Sequence, residues 1–172
     1  MEKIKRAEFN KIVQDGCMIT YSGLIFNLMN PDINKIRLVD IAHGLSFNSR
    51  WNGATKSFYS IAEHSLRVAF RVPEEAKLSA LFHDSEEAYW GDIIRPLKNI
   101  IEINSPEVIQ RMRDLRYLIF EKFNIKYYNT REEDDLEVIQ DYEELIKTHK
   151  RITLSSRVAE ELWLNEVKNR LE

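Results

Sequence analysis

Cysteine is almost missing from this chain. Among 172 residues only Cys17 occurs, which excludes an internal disulfide framework and suits a reducing compartment. Cys17 itself is expected as a small, buried or half-buried apolar side chain. Glycine and proline are scarce as well, five and four residues, too few turn formers for a many-stranded β fold. No apolar run approaches the ~20 residues of a membrane span. The opening stretch MEKIKRAEFNKIVQDG has no apolar segment of the kind a signal peptide needs. A cytoplasmic protein that neither enters nor touches a membrane is expected. A basic excess is also missing: the net charge of −3 argues against a binder of nucleic-acid polymers. It still permits a small anionic ligand held by a few local Arg and Lys side chains.

What remains is a chain with 44% hydrophobic and 31% charged residues, the composition of an ordinary folded domain. Its length suits one domain with a substantial core. The pattern predicts a single mostly α domain over 1–172, with an N-terminal arm over 1–16, a small β-hairpin over 17–32 and a helical body over 33–172. In the hairpin, Ile19, Tyr21, Leu24, Phe26 and Leu28 flank Ser22-Gly23, a two-residue turn, and Asn30-Pro31-Asp32 closes it. A short helix over 37–47 is weakened by Gly44. The run FYSIAEHSLRVAFRV is helical until Pro73, which then opens the next helix with Glu74 and Glu75 behind it. That helix is expected to run to about Trp90, where Gly91 ends it. A loop or broken helix over 92–104 follows. Ser105-Pro106-Glu107 starts another helix, with Val108, Met112, Leu115, Ile119 and Phe123 on one stripe. Two further helices are expected over 131–149 and 155–171, the last with Leu154, Val158, Leu162 and Leu171 in step as ordinary core.

The informative segment is SALFHDSEEAYWGD. A His-Asp dipeptide means little alone, but here it interrupts an apolar helix, where polar groups are costly without a partner. On a 3.6-residue wheel Leu78, Leu81, Phe82, Ala88 and Tyr89 share one face. His83 and Glu87 lie opposite, one turn apart, with Asp84 beside them. The preceding helix carries His64 among apolar neighbours, and a helix–turn–helix can bring His64 and His83 face to face. A carboxylate from a later helix would complete the set; Asp135 in REEDDLEVI is the best placed, with Asp134 its rival. Two imidazoles and two carboxylates suit Mn²⁺, Fe²⁺, Co²⁺, Ni²⁺ or Zn²⁺ better than Mg²⁺.

The ordered set His64, His83-Asp84 and Asp135 resembles the signature of the HD-domain phosphohydrolases. The strings RWNG, FYSIAEHS and LFHDSEEAYWGDIIRPLK resemble more closely the bacterial and phage 5′-deoxyribonucleotidase branch, over about residues 20–135. The resemblance implies that His64, His83, Asp84 and Asp135 hold a divalent transition metal. It implies that Glu87 and Asp92 are the catalytic carboxylates. Arg50 would bind phosphate, and Trp51 would pack on the sugar and disfavour a 2′-hydroxyl; Arg95 and Lys98 would add phosphate contacts. The gap between the first His and the HD pair is shorter than in the better-known deoxyribonucleotidases, as in a smaller phage-type subgroup.

The implied activity is hydrolysis of deoxynucleoside 5′-monophosphates by a homo-oligomer. The alternative is removal of triphosphate from deoxynucleoside triphosphates, which needs more cations than Arg50, Arg95 and Lys98; Arg67 and Lys56 are candidates. A non-catalytic nucleotide sensor would predict a gap in the metal or carboxylate set, and none is seen. An alarmone hydrolase fits the Arg50-Trp51 element less well. His43 is expected as a buried histidine bonded to backbone, and His149 as a charge at a helix C-terminus. Tyr127 and Tyr128 are expected to pack rather than stack on a base, and Trp90 and Trp163 to lie in the core or a subunit interface.

Overall fold

The computed structural model describes residues 6–141, 144, 147, 148 and 151–171. His149 lies outside them, as do residues 1–5 of the arm and part of the helix expected over 131–149. The fold is mostly α. A short helix α1 (Arg6–Gln14) leads into an antiparallel hairpin of β1 (Cys17–Ile19) and β2 (Ile25–Asn27), with Met18 opposite Phe26. Cys17 is half-buried. The connection is wider than a two-residue turn: Thr20 N–H donates to the Leu24 carbonyl, and Gly23 sits at φ +83. Asp40 grips this loop, accepting from the Ser22 N–H at 2.6 Å and its hydroxyl at 2.8 Å.

The helical body is α2 (Leu38–Phe47), α3 (Ile61–Arg71), α4 (Lys77–Phe82), α5 (Glu87–Trp90), α6 (Arg95–Asn104), α7 (Pro106–Lys122), α8 (Arg131–Asp141) and α9 (Ser156–Leu171). Its core joins Ile41 and Leu45 of α2, Ile61 and Val68 of α3, Leu81 and Phe82 of α4, Leu115 and Ile119 of α7, and Trp163 of α9. No described helix is long and apolar enough to cross a membrane.

Three expectations about elements change. The helix predicted from Pro73 to Trp90 is interrupted at 83–86, where backbone bonds such as Ser85 N–H to Phe82 O and Glu87 N–H to Asp84 O span three residues rather than four. Residues 95–104 form a regular helix, because Pro96 occupies its first turn, where no N–H donor is required. In α9 the buried face is Ala159, Trp163 and Val167, while Val158, Leu162 and Leu171 are exposed. Trp163 has the largest apolar surface to bury and sets the rotation of the helix. Its ring N–H donates to the Leu81 carbonyl at 3.0 Å, fastening α9 just ahead of His83.

Gly44, read as a weakness in α2, is a point of close approach. A Cβ there would lie 2.6 Å from the Ala88 carbonyl oxygen and 2.8 Å from the Ala88 Cα. Only a hydrogen lets α2 rest against α5, the helix that carries Glu87.

Candidate metal centre

Three elements deliver the polar groups. Ser60 caps α3, accepting from the Glu63 N–H at 3.1 Å, and α3 places His64 wholly inside the protein. The tightened turn after α4 supplies His83 and Asp84. Helix α8 supplies Asp134. His64 Nε2 and His83 Nε2 are 3.2 Å apart. Asp134 Oδ1 lies 2.9 Å from the first and 3.8 Å from the second. Asp84 Oδ2 lies 3.2 Å from His83 Nε2 and 3.8 Å from His64 Nε2.

These donors fit a metal. His83 Nδ1 faces the Ala80 carbonyl at 2.6 Å; a carbonyl only accepts, so Nδ1 carries a proton and Nε2 is the nitrogen left to meet a metal. Asp134 Oδ1 is buried without a hydrogen bond of its own. Donors bound at about 2.1 Å to one ion stand roughly 3.0–3.4 Å apart, close to the separations seen. Burial lowers His64 to about 4, and the charge of Arg50 adds to the effect, so its ring is neutral near pH 7. Burial raises Asp134 and Asp84, but the neighbouring imidazoles outweigh it and hold both carboxylates below their usual range. For His83, burial works against the charged form, but Asp84 and Asp134 prevail and push it well up. The cluster can hold a cation.

The fourth ligand expected from sequence is corrected here. Asp134, not Asp135, meets the histidines. Successive residues of a helix turn by about 100°, and α8 directs Asp134, Glu137 and Asp141 inward, leaving Asp135 exposed at the mouth of the neighbouring cavity.

A second acidic group, Asp84, Glu86 and Glu87, lies alongside. Glu86 and Glu87 are both buried, so neither is a surface residue. Arg116 from α7 pairs with Glu86 through two nitrogens. Lys98 from α6 reaches Glu87 Oε1 at 2.8 Å, while Glu87 Oε2 is buried without a partner. Burial, with the Asp84 charge, raises the Glu87 carboxyl well above its ordinary value. Burial also raises Asp92, whose Oδ2 accepts the Trp51 N–H at 2.8 Å.

Arg50 and Trp51 sit on the other flank. Arg50 is buried, with Nη1 3.4 Å from Asp84 and Nε 3.8 Å from Asp141. Trp51 and Asn52 hold left-handed backbone angles, φ +57 and +50, a strained arrangement for a tryptophan. The Arg50 N–H bond to the Tyr59 carbonyl, 2.9 Å, and the Asp92 contact keep it in place.

On the open side of the cluster lies a cavity of about 450 Å³. His83, Asp84 and Asp134 reach it, and Arg95, Lys98, Arg113, Arg116 and Arg131 line it; Arg50 and Trp51 do not. Among the described residues, the guanidinium groups of Arg95 and Arg131 have no ion pair. Tyr127 and Tyr128, expected as packing residues, are exposed on the cavity wall. Their segment is pinned by Ser79, whose hydroxyl bonds the Tyr128 N–H at 3.0 Å and carbonyl at 3.2 Å. Sequence reading missed Arg113, Arg116 and Arg131, since a cation beside an apolar helical stripe has no distinctive spacing. Arg67 is turned away and pairs with Glu63. His43 is not a backbone-bonded core histidine: it is half-buried, stacked between Tyr21 and Phe47 at 3.8 and 4.2 Å, and faces Glu160 at 3.4 Å.

No family model matches the chain. It is similar to the uncharacterized protein RCAP_rcc00048 of Rhodobacter capsulatus, at 39% identity over 58% of this chain and 55% of that protein. It is also similar to the uncharacterized protein YfdR of Escherichia coli K12, at 34% identity over 62% of this chain and 57% of that one. The chain thus spans a little more than half the length of the curated relatives it matches.

Proposed function

We propose that this chain is a metal-dependent phosphohydrolase of the HD-domain kind, acting on deoxynucleotides. The observation that carries the reading is the cluster of His64, His83, Asp84 and Asp134 opening onto a cavity lined by five cations. Mixed nitrogen and oxygen donors favour Mn²⁺, Fe²⁺, Co²⁺, Ni²⁺ or Zn²⁺. Such a metal lowers the pKa of a bound water and supplies hydroxide near neutral pH.

The chain's own residues would do the rest. Arg95 and Arg131, without ion pairs, are placed to hold phosphate oxygens bidentately. Glu87, its carboxyl raised above the ordinary value by burial, is placed to pass a proton to a leaving oxygen. Lys98, 2.8 Å away, steadies it once that proton is gone. Asp92 fixes the strained Trp51 backbone on a flank that the cavity does not reach.

The deoxynucleoside monophosphate needs only one or two cations. The cavity offers five, three of them (Arg113, Arg116 and Arg131) beyond those named from sequence. Three of the five already pair with acids, Lys98 with Glu87, Arg113 with Glu102 and Arg116 with Glu86. The two left over suit the monophosphate, and release of triphosphate from a deoxynucleoside triphosphate is the second reading. One panel separates the two: purified protein with Mn²⁺, Co²⁺ or Zn²⁺ against deoxy- and ribonucleotide mono- and triphosphates, scored for phosphate or triphosphate released. No turnover of any nucleotide by metal-loaded protein would sink the enzyme reading.

A further inference from the structure

Helix α8 addresses His64 twice. Asp134 approaches Nε2, the nitrogen in the cluster, at 2.9 Å. Seven residues on and on the same face, Asp141 approaches Nδ1 at 4.0 Å. Both His64 and Asp141 are fully buried, and His64 Nδ1, Asp141 Oδ2 and Arg50 Nε are all buried without a hydrogen-bond partner among the described residues. Arg50 Nε is 3.8 Å from the same Asp141 oxygen. Three unpartnered polar atoms therefore converge on one spot in the interior, where each would cost stability if left alone. Asp141 is held for the task from the other side, since its Oδ1 accepts from Arg151 Nη1 at 2.7 Å.

We infer that Asp141 is a positioning residue that accepts the Nδ1 proton of His64 and so turns the Nε2 lone pair toward the metal. The inference rests on the metal reading above. A neutral imidazole has one N–H and one lone pair. If Nε2 is to bind a metal, the proton must sit on Nδ1, and Asp141 is the buried acceptor facing it. The gap of 4.0 Å is one that a single bridging water spans. His83 has the matching arrangement with a backbone carbonyl, its Nδ1 facing Ala80 at 2.6 Å. The two histidines are thus oriented by different means, one by a peptide carbonyl and one by a side-chain carboxyl, and only the second can be changed by substitution.

The test uses the full chain, apo and loaded with Co²⁺, comparing wild type with Asp141→Asn, Asp141→Ala and, as a control, Glu144→Gln. Glu144 binds the same Arg151 at 2.6 Å, within the same acidic network. Affinity is read by competition with a chromophoric chelator. The expected result is a 10–100-fold weaker Co²⁺ affinity for both Asp141 variants, the range seen when a ligand's supporting carboxylate is removed, and an unchanged affinity for Glu144→Gln. Proton NMR of the Co²⁺ protein gives a second readout. Wild type should show two shifted resonances that vanish in D2O, one from each histidine Nδ1–H, and Asp141→Asn should lose or broaden one of them. Asp141→Asn keeps the volume and an acceptor for Arg151, so it reports even where Asp141→Ala does not fold. Wild-type affinity and two sharp exchangeable resonances in Asp141→Asn would overturn the inference. A wild-type chain that takes up no Co²⁺ would instead overturn the metal reading beneath it.

Discussion

Two polar clusters lie side by side in this protein and differ in how their charge is balanced. In the carboxylate cluster Glu86 holds Arg116 and Glu87 holds Lys98, while Asp84, which faces Arg50, is shared with the histidines. In the histidine cluster Asp134 has no Arg or Lys partner among the described residues; it faces two imidazoles, and its Oδ1 is buried without a hydrogen bond. An acidic group already matched by Arg and Lys gains little from a metal. A carboxylate and two ring nitrogens converging without an Arg or Lys can be completed by a metal. Proximity of acids alone would have ranked the two clusters equally, and charge accounting separates them.

The two clusters differ most at α8. Asp134→Ala should weaken metal binding and activity by more than the roughly 10–100-fold that a supporting residue costs, whereas Asp135→Ala should leave metal affinity as it is. Equal losses from both, measured by chelator competition, would restore the sequence-based choice of Asp135. Next in size is Glu86→Ala, which leaves Arg116 facing a buried gap. It should lower stability by on the order of 3 kcal/mol in denaturant unfolding, with metal affinity little changed if the two clusters are separate devices. Gly44→Ala should cost about 1–3 kcal/mol through overpacking against Ala88. Because α5 carries Glu87, turnover should fall while metal uptake persists.

The smallest effect concerns acid. Glu137 accepts from Arg71 at 2.8 Å and from Arg151 at 2.7 Å. Burial would raise its carboxyl, but those two cations outweigh it and hold it below the usual value. A depressed folded pKa adds stability that is present above the ordinary glutamate range and is lost as pH falls through the folded value. Wild type should therefore lose stability below about pH 4.5 more steeply than Glu137→Gln, as thermal unfolding across pH would record.

Much of this architecture was legible beforehand, for identifiable reasons. The hairpin, α2, α3, α7 and the histidine pair all follow from patterns local in sequence: alternation, a 3.6-residue stripe, a Pro stop, an imidazole where only apolar residues are expected. The break at His83 was not legible, because Leu78 to Tyr89 keep a helical period straight through it, and only the three-residue bonds reveal the tightening. The choice between Asp134 and Asp135 turned on the rotation of α8, fixed by Glu137 and Asp141 meeting Arg151 at 2.7 Å each, contacts that no spacing announces. The cation wall was missed for the same kind of reason: Arg95 and Lys98 stand in a recognisable string, whereas Arg113, Arg116 and Arg131 are drawn from two other helices.

The break at His83 has a mechanical consequence. His83 hangs on the end of α4 and Asp134 on the first turn of α8, with the whole of α6 and α7 between them in the chain. An ion grasped by both would act as a releasable crosslink, shortening the set of shapes open to the unfolded chain much as a disulfide does. In a protein whose lone cysteine rules out that covalent solution, the centre would serve as the fastener of the domain. Stripping the ion should then open the connection before α8 to a protease well before the rest of the chain gives way.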